Sequence, residues 1–327
     1  MKNFKVKLLL MGAMTQIPDS QKLFGALVYM FAEKYGSKSA TDFTRAILEA
    51  NFHFALSNLM PEGYLPVPQG YILDRIAEKS NKEESLKKIR ASIKLRNYIR
   101  SEDIGCILDN PENCKDIFPY ITQHDFQQLR ASIDSLRFDI PELDTRLYSV
   151  PTAILSEVRK DEVGQTYDEQ VDTFCFYLQM DDGRMGDELL DMLNTAVNEE
   201  YVMVLGKRAS QGMNLFQLRS IKEESLSRSG GNLFLNTGML LPDCIDFKSS
   251  SLKLFTSERR PFEMNGGWND DIPKQFISFI APGSIIAVSD GLKRSGKSIE
   301  SPFRRNRDIV FGNAFLYPLF PEERKVE

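Results

Sequence analysis

Two strand–helix–strand patterns constrain most strongly what this chain can fold into. Near the N-terminus, Phe4–Leu10 alternates as a strand does, Gln21–Gly36 is amphipathic with a helical period, and Phe52–Leu56 alternates again. After residue 170, the apolar strand Val171–Met180 is followed by a second amphipathic helix and by the strand Tyr201–Gly206. In this order the two patterns predict the βαββαβ connectivity of a ferredoxin-like domain.

Short polar segments predict where the two helices begin and end. Asp19 or Ser20 is expected to cap the first helix, and Gly36 is expected to stop it. Asp181–Gly183 lies between the second pattern's strand and its helix. We interpret that triplet as a strand exit and helix cap rather than as a metal site.

The spacing of the patterns predicts two domains. Residues 1–222 form an N-terminal domain with a long insertion at about 70–170. Within the insertion, residues 80–100 are predicted to form a helix or a charged excursion, and residues 109–149 mixed short elements. Strands and turns dominate residues 223–327, which we assign to a second, strand-rich domain. The expected fold class is α+β.

Charge is segregated along the chain, although its net value of −5 is modest for 327 residues. Arg75–Arg100 carries nine cations and three acids, whereas Leu155–Glu200 carries thirteen acids and three cations. Such blocks indicate a polyanion site on one face and a partner surface or a solvated face on another. For either block alone, a solvated helix is the alternative.

The four cysteines, Cys106, Cys114, Cys175 and Cys244, are scattered and form no C-x-x-C pair. This argues against a zinc site or a disulfide framework and for a reducing cytoplasm. The alternation at the N-terminus is typical of a strand rather than of a signal peptide. No apolar run approaches membrane-spanning length, so no membrane association is expected.

A loop near the C-terminus carries the letters of a phosphate-binding P-loop at Gly291, Gly296, Lys297 and Ser298. A true P-loop opens a helix, but Pro302 follows closely and no helical apolar repeat is present. We therefore predict a flexible basic loop suited to a polyanion, with a nucleotide hydrolase as a rival and a solvated loop as the neutral alternative. The loop's other expected contacts are Lys293, Arg294, Arg304 and Arg305.

A second glycine-containing basic loop, Gly206–Leu218, joins two predicted strands. Gly206 and Gly212 permit a tight, exposed turn, on which Lys207, Arg208 and Ser210 are suited to phosphate. A plain hairpin turn is the alternative.

Arg259 and Arg260 lie beside aromatic residues in a third basic segment. Recurring cations, glycines and aromatics suit single-stranded nucleic acid, whose backbone they grip and whose bases they stack.

Each candidate catalytic motif in the sequence lacks a required part. Ser289 resembles a nucleophile elbow, but both histidines, His53 and His124, precede it, contrary to the order that a hydrolase of that class needs. Gly266–Asp271 resembles a broken metal turn, and no carboxylate pair has a spacing that demands acid–base work. We predict no catalytic residue, no metal and no cofactor, although a histidine-based RNA-cleaving site stays open.

Four segments in order resemble the RAMP superfamily of CRISPR proteins: LFGALVYMFAEKYG, LSNLMPEGYLPVP, GKRASQGMNLF and FGNAFLYPL. Within it they are most similar to the fourth Csm subunit of type III-A effector complexes, a relative of the Cas-five group. The resemblance spans nearly the whole chain.

The resemblance implies two ferredoxin-like (RRM-like) domains and no catalysis. It implies a cytoplasmic antiviral subunit, present once in a hetero-oligomeric ribonucleoprotein, that caps the 5′ repeat-derived tag of CRISPR RNA (crRNA). A large Cas-ten-type subunit and a Csm-three-type backbone subunit are the implied neighbours. A thumb hairpin is implied in the insertion, and we place it at Val150–Gln165. The alternative is a Cas-five-like or Cas-six-like endoribonuclease that processes precursor crRNA.

By position, Gly206–Gly212 matches the family's G-[KR]-x-x-S-x-G loop, which implies that its cations and hydroxyl face RNA. Gly291–Lys297 matches the C-terminal glycine-rich loop only loosely. The His-Gly-Asp-like trio that often precedes the first helix reads PDS here, so Ser20 and Lys22 take its place. The usual G-x-G ending of the first loop reads GMN.

Overall fold

The computed structural model describes residues 1–79, 83–132, 146–226, 231–259, 275–289, 291–300 and 309–319. Within these ranges the α-helices are α1 (Ser20–Tyr35), α2 (Ser37–Leu48), α3 (Gln69–Lys79), α4 (Glu83–Leu95), α5 (Ile104–Asp109) and α6 (Arg184–Asn198). The strands are β1 (Lys2–Leu10), β2 (Phe54–Leu56), β3 (Met60–Pro61), β4 (Tyr64–Pro66), β5 (Tyr98–Arg100), β6 (Tyr120–Ser132), β7 (Arg146–Lys160), β8 (Thr166–Gln170), β9 (Thr173–Met180), β10 (Val202–Val204), β11 (Leu215–Glu223), β12 (Leu233–Asn236), β13 (Ile245–Ser251), β14 (Leu254–Arg259), β15 (Gln275–Ile280), β16 (Ile285–Val288), β17 (Ile299–Glu300), β18 (Ile309–Val310) and β19 (Leu316–Pro318).

The first sheet has the strand order β10-β11-β1-β9-β2, with β3 also paired to β9. All of these pairs are antiparallel. Helices α1 and α2 connect β1 to β2, and α6 connects β9 to the β10–β11 hairpin. The order β11-β1-β9-β2 is ferredoxin-like, and three of its strands are the predicted ones. The fourth is β11, whereas the predicted fourth strand, Tyr201–Gly206, contains β10, which lies at the edge and pairs with β11.

Both ends of α1 are as predicted. Oδ1 of Asp19 accepts a hydrogen bond of 2.9 Å from the Lys22 amide, and Gly36 ends the helix at φ +86°. The triplet Asp181–Gly183 is the exit from β9 and contains the cap of α6, as predicted. Gly183 holds the cap position, and no side chain caps the helix. The carboxylate of Asp182 pairs at 2.9 Å with the ammonium of Lys2.

The insertion forms a second antiparallel sheet, β4-β5-β6-β7-β8, accompanied by α3, α4 and α5. The basic segment predicted as a helix or an excursion contains the helix α4. The prediction of mixed short elements for residues 109–149 is wrong over β6, a strand of thirteen residues. Its polar sequence shows no apolar alternation, and every residue of it is paired with β7.

The C-terminal region builds a third sheet, β13-β16-β12-β19, and the strand pairs β14–β15 and β17–β18. After residue 223, the described part of the chain contains no α-helix. A second ferredoxin-like domain needs two helices, so the described residues of this region do not form one. The strand-rich character of the region agrees with the prediction.

The closing segment ties the C-terminal region to the first domain. Ala314 forms a parallel bridge with Leu56, and the Phe315 amide donates a hydrogen bond of 2.9 Å to the Leu56 carbonyl. The buried ring of Phe311 stacks on Phe24 of α1, with 4.4 Å between the ring centroids. The core under α1 therefore includes residues from both ends of the chain.

Candidate nucleic-acid interface

The β10–β11 loop is a tight, exposed turn at one edge of the first sheet. Arg208 and Gly212 both have left-handed backbones, at φ +69° and +73°, on either side of a single 3-10 turn. Lys207 and Ser210 are exposed, and Arg208 is partly exposed. The loop therefore presents two cations and a hydroxyl from a fixed turn, the arrangement expected for phosphate contacts.

Asn214 braces this loop from inside. Its side chain is fully buried, donates a hydrogen bond of 2.6 Å to the Lys207 carbonyl, and accepts one of 2.8 Å from the Thr15 amide. Its own backbone is left-handed at φ +58°, a conformation that asparagine tolerates better than most residues. Asn214 thus stands where the family pattern has the last glycine and keeps the turn tight. We did not single it out from the sequence, where the GMN triplet was the available signal.

Two glycines let the chain pass close to the loop. A Cβ on Gly206 would lie 2.9 Å from Cγ of Asn214, and one on Gly12 would lie 2.4 Å from the Gly212 carbonyl oxygen. Side chains at either position would collide with the brace or with the loop backbone. The segment after β1 is therefore pinned directly beneath the loop.

The β6–β7 hairpin reaches the same loop. The guanidinium of Arg208 lies 5.4 Å from the ring centroid of Tyr148, and Nη1 of Arg130 donates a hydrogen bond of 3.2 Å to Oε1 of Gln211. Neither Tyr148 nor Arg130 was singled out from the sequence, because only the fold pairs them with the loop. Large apolar side chains on this hairpin are exposed, among them Phe126, Leu129 and Leu147.

The predicted thumb, Val150–Gln165, is shorter than the observed hairpin. It covers the second part of β7 and the turn to β8, and Val150 itself is fully buried. The two residues that contact the loop, Arg130 and Tyr148, both precede the predicted segment. The predicted thumb therefore overlaps the β6–β7 hairpin only in part, and residues 133–145 of this hairpin lie outside the described ranges.

Ser20 and Lys22 differ in their accessibility. Ser20 is fully buried, and its hydroxyl accepts a hydrogen bond of 3.1 Å from the Met239 amide. Because it joins α1 to the C-terminal region, we remove Ser20 from the expected RNA contacts. Lys22 instead lines a groove that also includes Gly206.

The C-terminal basic loop is not a P-loop. The residue pair after Ser298 is the strand β17, not a helix, and the Ser298 hydroxyl is buried and accepts from the Gly312 amide at 3.3 Å. A Cβ on Gly296 would lie 2.7 Å from Leu240, so this glycine serves packing rather than a phosphate cradle. These contacts remove the nucleotide-hydrolase alternative.

Two cations of the C-terminal loop are engaged within the protein. The ammonium of Lys293 lies 2.5 Å from a carboxylate oxygen of Asp181, and that of Lys297 lies 3.5 Å from Asp243. Burial alone would raise the pKa of Asp181, but the hydrogen bonds from Lys293 and the His53 amide outweigh it and lower the pKa.

Lys293 also lies far from the Gly206 loop. Asp181 follows β9 at the end of the sheet where β1 begins, whereas the Gly206 loop lies where β1 ends, about 27 Å away along the strand. The structure therefore does not bring Lys293 and the Gly206 loop together.

The structure gives less information on the remaining predicted RNA contacts. The Arg294 carbonyl accepts a hydrogen bond of 2.7 Å from the Cys244 amide, and Arg259 is the last residue of β14. Arg260, Arg304 and Arg305 lie outside the described residues, as does the Gly266–Asp271 turn.

The histidines and cysteines could supply catalytic groups, but they are either in contact with other residues of the protein or separate from one another. His53 is partly buried, its Nε2 lies 2.9 Å from Oε1 of Gln179, and burial lowers its pKa. His124 is exposed on β6. Burial raises the pKa of Cys114 to about 11 and that of Cys175 to about 12, so both thiols are protonated at neutral pH.

Neither a metal site nor a membrane-spanning helix occurs among the described residues. No group of three His, Cys, Asp or Glu side chains in the described ranges has the geometry of a metal site. Among the described helices, none combines the length and apolar character that crossing a membrane requires.

The charge blocks lie on separate elements. The basic block includes α4, where Lys87, Lys88, Arg90 and Lys94 are exposed. The acidic block includes the edge strand β8, which is exposed along its whole length. The exposed parts of the two blocks therefore lie on different elements, whereas Arg96 of the basic block and Glu157 of the acidic block are buried.

Comparisons with known proteins identify the fold. No family model and no curated protein matches the sequence. Among solved structures, the chain is similar to one in a Csm1–Csm4 cassette in complex with cA4, at 15% identity over 98% of both chains, with a TM-score of 0.54. It is also similar to one in a Csm3–Csm4 subcomplex of the type III-A CRISPR-Cas interference complex, at 16% identity over 98% of this chain and 100% of that chain, with a TM-score of 0.53. Csm4 is the subunit common to both assemblies, and the fold of this chain is Csm4-like.

Proposed function

We propose that this chain is the Csm4-like RAMP subunit of a type III-A CRISPR effector complex, in which it binds and caps the 5′ repeat-derived tag of crRNA. The fold similarity over nearly the whole chain supports the assignment to such a complex. The chain would act once per complex, in the cytoplasm, in defence against viruses. The resemblance of its four segments to the RAMP superfamily supports the same role.

The observation that carries the proposal is the braced Gly206–Gly212 loop beside the β6–β7 hairpin. Lys207 and Arg208 contribute positive charge and Ser210 a hydroxyl, while Asn214 holds the loop backbone in place. Phosphate contacts made from a fixed backbone cost little ordering entropy on binding. We assign the RNA backbone to this loop and the adjoining hairpin surface.

The other predicted RNA contacts either are paired within the protein or remain predictions. Lys293 and Lys297 are paired to carboxylates, so their availability to RNA requires those pairs to open. Arg259, Arg260, Arg294, Arg304 and Arg305 remain predictions.

Protein partners follow from the same similarity. The solved assemblies contain Csm4 with Csm1 and with Csm3. We infer that this chain docks a large Cas-ten-type subunit and a Csm-three-type backbone subunit. Its exposed basic and acidic elements, α4 and β8, provide separate faces for charged partners.

We further propose that the chain binds RNA without cleaving it. A general acid or base must reach the substrate, but His53 is partly buried against Gln179. The endoribonuclease alternative therefore depends on His124 or on a tyrosine beside the scissile phosphate. Incubating precursor crRNA with the unchanged chain and with His124→Ala separates the two: products that vanish in the variant would favour the nuclease.

Titration of labelled single-stranded tag RNA tests the binding site. The double variant Lys207→Ala plus Arg208→Ala should weaken binding at least about tenfold and lower the salt dependence by one to two units, at roughly 0.7 per lost phosphate contact. The matched control is Lys38→Ala plus Arg45→Ala, which removes one exposed lysine and one exposed arginine from α2. Equal affinities for both double variants would contradict the proposed site.

A further inference from the structure

A groove runs between α1 and β10 and opens beside the Gly206 loop. Its volume is about 390 Å³, and its lining includes Lys22, Gly25, Tyr29, Tyr201, Met203 and Val204. We call it the α1–β10 groove. Its volume falls within the range of pockets that hold small ligands, and its lining is mostly apolar.

One end of the groove holds a cation without a hydrogen-bond partner. Nζ of Lys22 is shielded from solvent and makes no hydrogen bond. Its nearest carboxylate oxygen, on Asp19, is 3.7 Å away, and the other oxygen of Asp19 accepts from the Lys22 amide. Leaving ammonium donors unpaired in a shielded position is costly, so an anionic oxygen placed there would be stabilised.

The other end of the groove holds two tyrosines that share one carboxylate. The Tyr201 hydroxyl donates a hydrogen bond of 3.3 Å to Oε2 of Glu33. A hydrogen bond to the same carboxylate raises the pKa of Tyr29, and burial followed by the charge of Glu33 raises that of Tyr201. The Tyr201 hydroxyl uses one of about four acceptor sites of the Glu33 carboxylate, which leaves sites for an N–H donor of a ligand.

The floor between the two ends is open. Lys22 and Tyr29 are seven residues apart on one helix, which separates them by about 10 Å along its axis. At Gly25, between them, an added Cβ would meet nothing within 4 Å. The Tyr29 side chain is 62% exposed, so its ring face is available for stacking.

From this arrangement we propose that the α1–β10 groove binds one nucleotide of the RNA held by the Gly206 loop. Its phosphate lies against Lys22, its base stacks on Tyr29, and Glu33 accepts a hydrogen bond from the base. The groove selects adenine, cytosine or guanine, whose amino groups donate freely, over uracil, whose one N–H is flanked by two carbonyl oxygens. This inference rests on the proposed function, since it assumes that RNA occupies the Gly206 loop.

A protein segment is the competing occupant, because β10 is an edge strand with apolar neighbours. The Lys22 ammonium makes no hydrogen bond and has only the 3.7 Å contact with Asp19, so beside a glycine-containing loop it favours a phosphate over a peptide. Binding of a protein segment in the groove is therefore one of the outcomes that the experiments below distinguish.

The affinity test compares two RNA octamers, oligocytidine and oligouridine, which differ in the base edge presented to Glu33. The unchanged chain should bind oligocytidine more tightly, and Tyr29→Ala should weaken that binding about tenfold through lost stacking. Lys22→Met, which keeps the apolar stem, should weaken both octamers equally. Glu33→Gln should abolish the preference, because an amide offers both a donor and an acceptor. Tyr167→Ala, on β8, is the matched control for a half-exposed tyrosine.

Methyl resonances locate the bound RNA. Met30 and Met203 line the groove, and Met213 lies in the Gly206 loop segment, so the three methionines report separately. Oligocytidine should shift all three. Shifts at Met213 alone, or an octamer preference unchanged by Glu33→Gln, would overturn the groove proposal and leave the proposed function standing.

Two further outcomes are decisive. If the unchanged chain binds neither octamer and no tag RNA, the proposed function and the groove proposal fail together. If Tyr29→Ala lowers the capture of a protein partner while RNA affinity is unchanged, the groove belongs to that partner and the nucleotide proposal is wrong.

Discussion

The guanidinium of Arg208 lies 5.4 Å from the ring centroid of Tyr148, joining the Gly206 loop to the β6–β7 hairpin. Arg208 lies in a loop of the first sheet and Tyr148 lies on β7 of the second, so the contact couples the first domain to its insertion. A cation held over a ring keeps its outward N–H groups available to phosphate. The loop and the hairpin therefore form one continuous surface.

Removing Tyr148 should weaken RNA binding through Arg208. In a double-mutant cycle with Tyr148→Ala and Arg208→Ala, we expect a coupling of about 0.5–1 kcal/mol in RNA binding, because an exposed cation–π contact is of that size. Titration of the four proteins with tag RNA measures it. Additive losses, with zero coupling, would show that the contact does not position Arg208.

Asn214→Ala should destabilise the protein by about 2–4 kcal/mol. The change removes buried hydrogen bonds to Thr15 and Lys207. It also places alanine, which is strained in a left-handed backbone, at φ +58°. Urea unfolding measures the loss. Asn194→Ala, on the exposed face of α6, is the control and should stay within about 0.5 kcal/mol. Similar unfolding midpoints for the two variants would contradict the bracing role.

Gly312→Ala should prevent normal packing of the closing segment. The added Cβ would lie 2.3 Å from the Lys297 carbonyl oxygen and 2.5 Å from Cβ of Leu241, and backbone cannot yield cheaply. We expect a loss of at least about 3 kcal/mol, or failure to accumulate as folded protein. Gly70→Ala is the control, because an added Cβ there meets nothing within 4 Å. Its free energy of unfolding should lie within about 0.5 kcal/mol of that of the unchanged chain. A folded Gly312→Ala protein of normal stability would show that the segment packs differently.

Stability should fall on mild acidification because of His53. Burial lowers its pKa in the folded protein, so the unfolded chain binds the proton first and the stabilisation present above about pH 6.5 is lost as pH falls below that value. Between pH 7.5 and 5.5 we expect a loss of about 1 kcal/mol or less from this group. The loss should disappear in His53→Gln and persist in His124→Gln, as measured by urea unfolding at both pH values. An identical pH dependence in all three proteins would assign it to other groups.

Magnesium and ATP should have no effect on the C-terminal loop. Because Ser298 is buried and is followed directly by the strand β17 rather than by a helix, the described part of the loop has no site for a nucleotide phosphate. Calorimetric titration with magnesium-ATP should give no binding to the unchanged chain or to Lys297→Ala. Binding that is lost in the variant would restore the nucleotide-hydrolase alternative.

Local periodicity predicts most of the first domain. The Asp19 cap, the Gly36 stop and the alternating strands are all encoded by neighbouring residues. The place of β11 beside β1 is not, because it depends on pairing between residues that are about two hundred positions apart. The strand β6 could not be predicted locally either, because its polar sequence becomes a strand only by pairing with β7.

The candidate site was predicted in part. The exposure of Lys207, Arg208 and Ser210 follows from a glycine-bounded turn between strands. The burial of Ser20 depends on Met239, which is more than two hundred residues away, and no local pattern indicates such a contact. Tyr148 was missed for the same reason.

We propose above that this chain holds the 5′ tag of crRNA within a type III-A complex. The test is to purify the tagged chain from its native host, sequence the bound RNA and identify the bound proteins by mass spectrometry. We predict RNAs that share one repeat-derived 5′ segment, recovered with a large Cas-ten-type subunit and a Csm-three-type subunit. Recovery of the chain free of RNA and of these partners, under conditions that preserve other complexes, would contradict the claim.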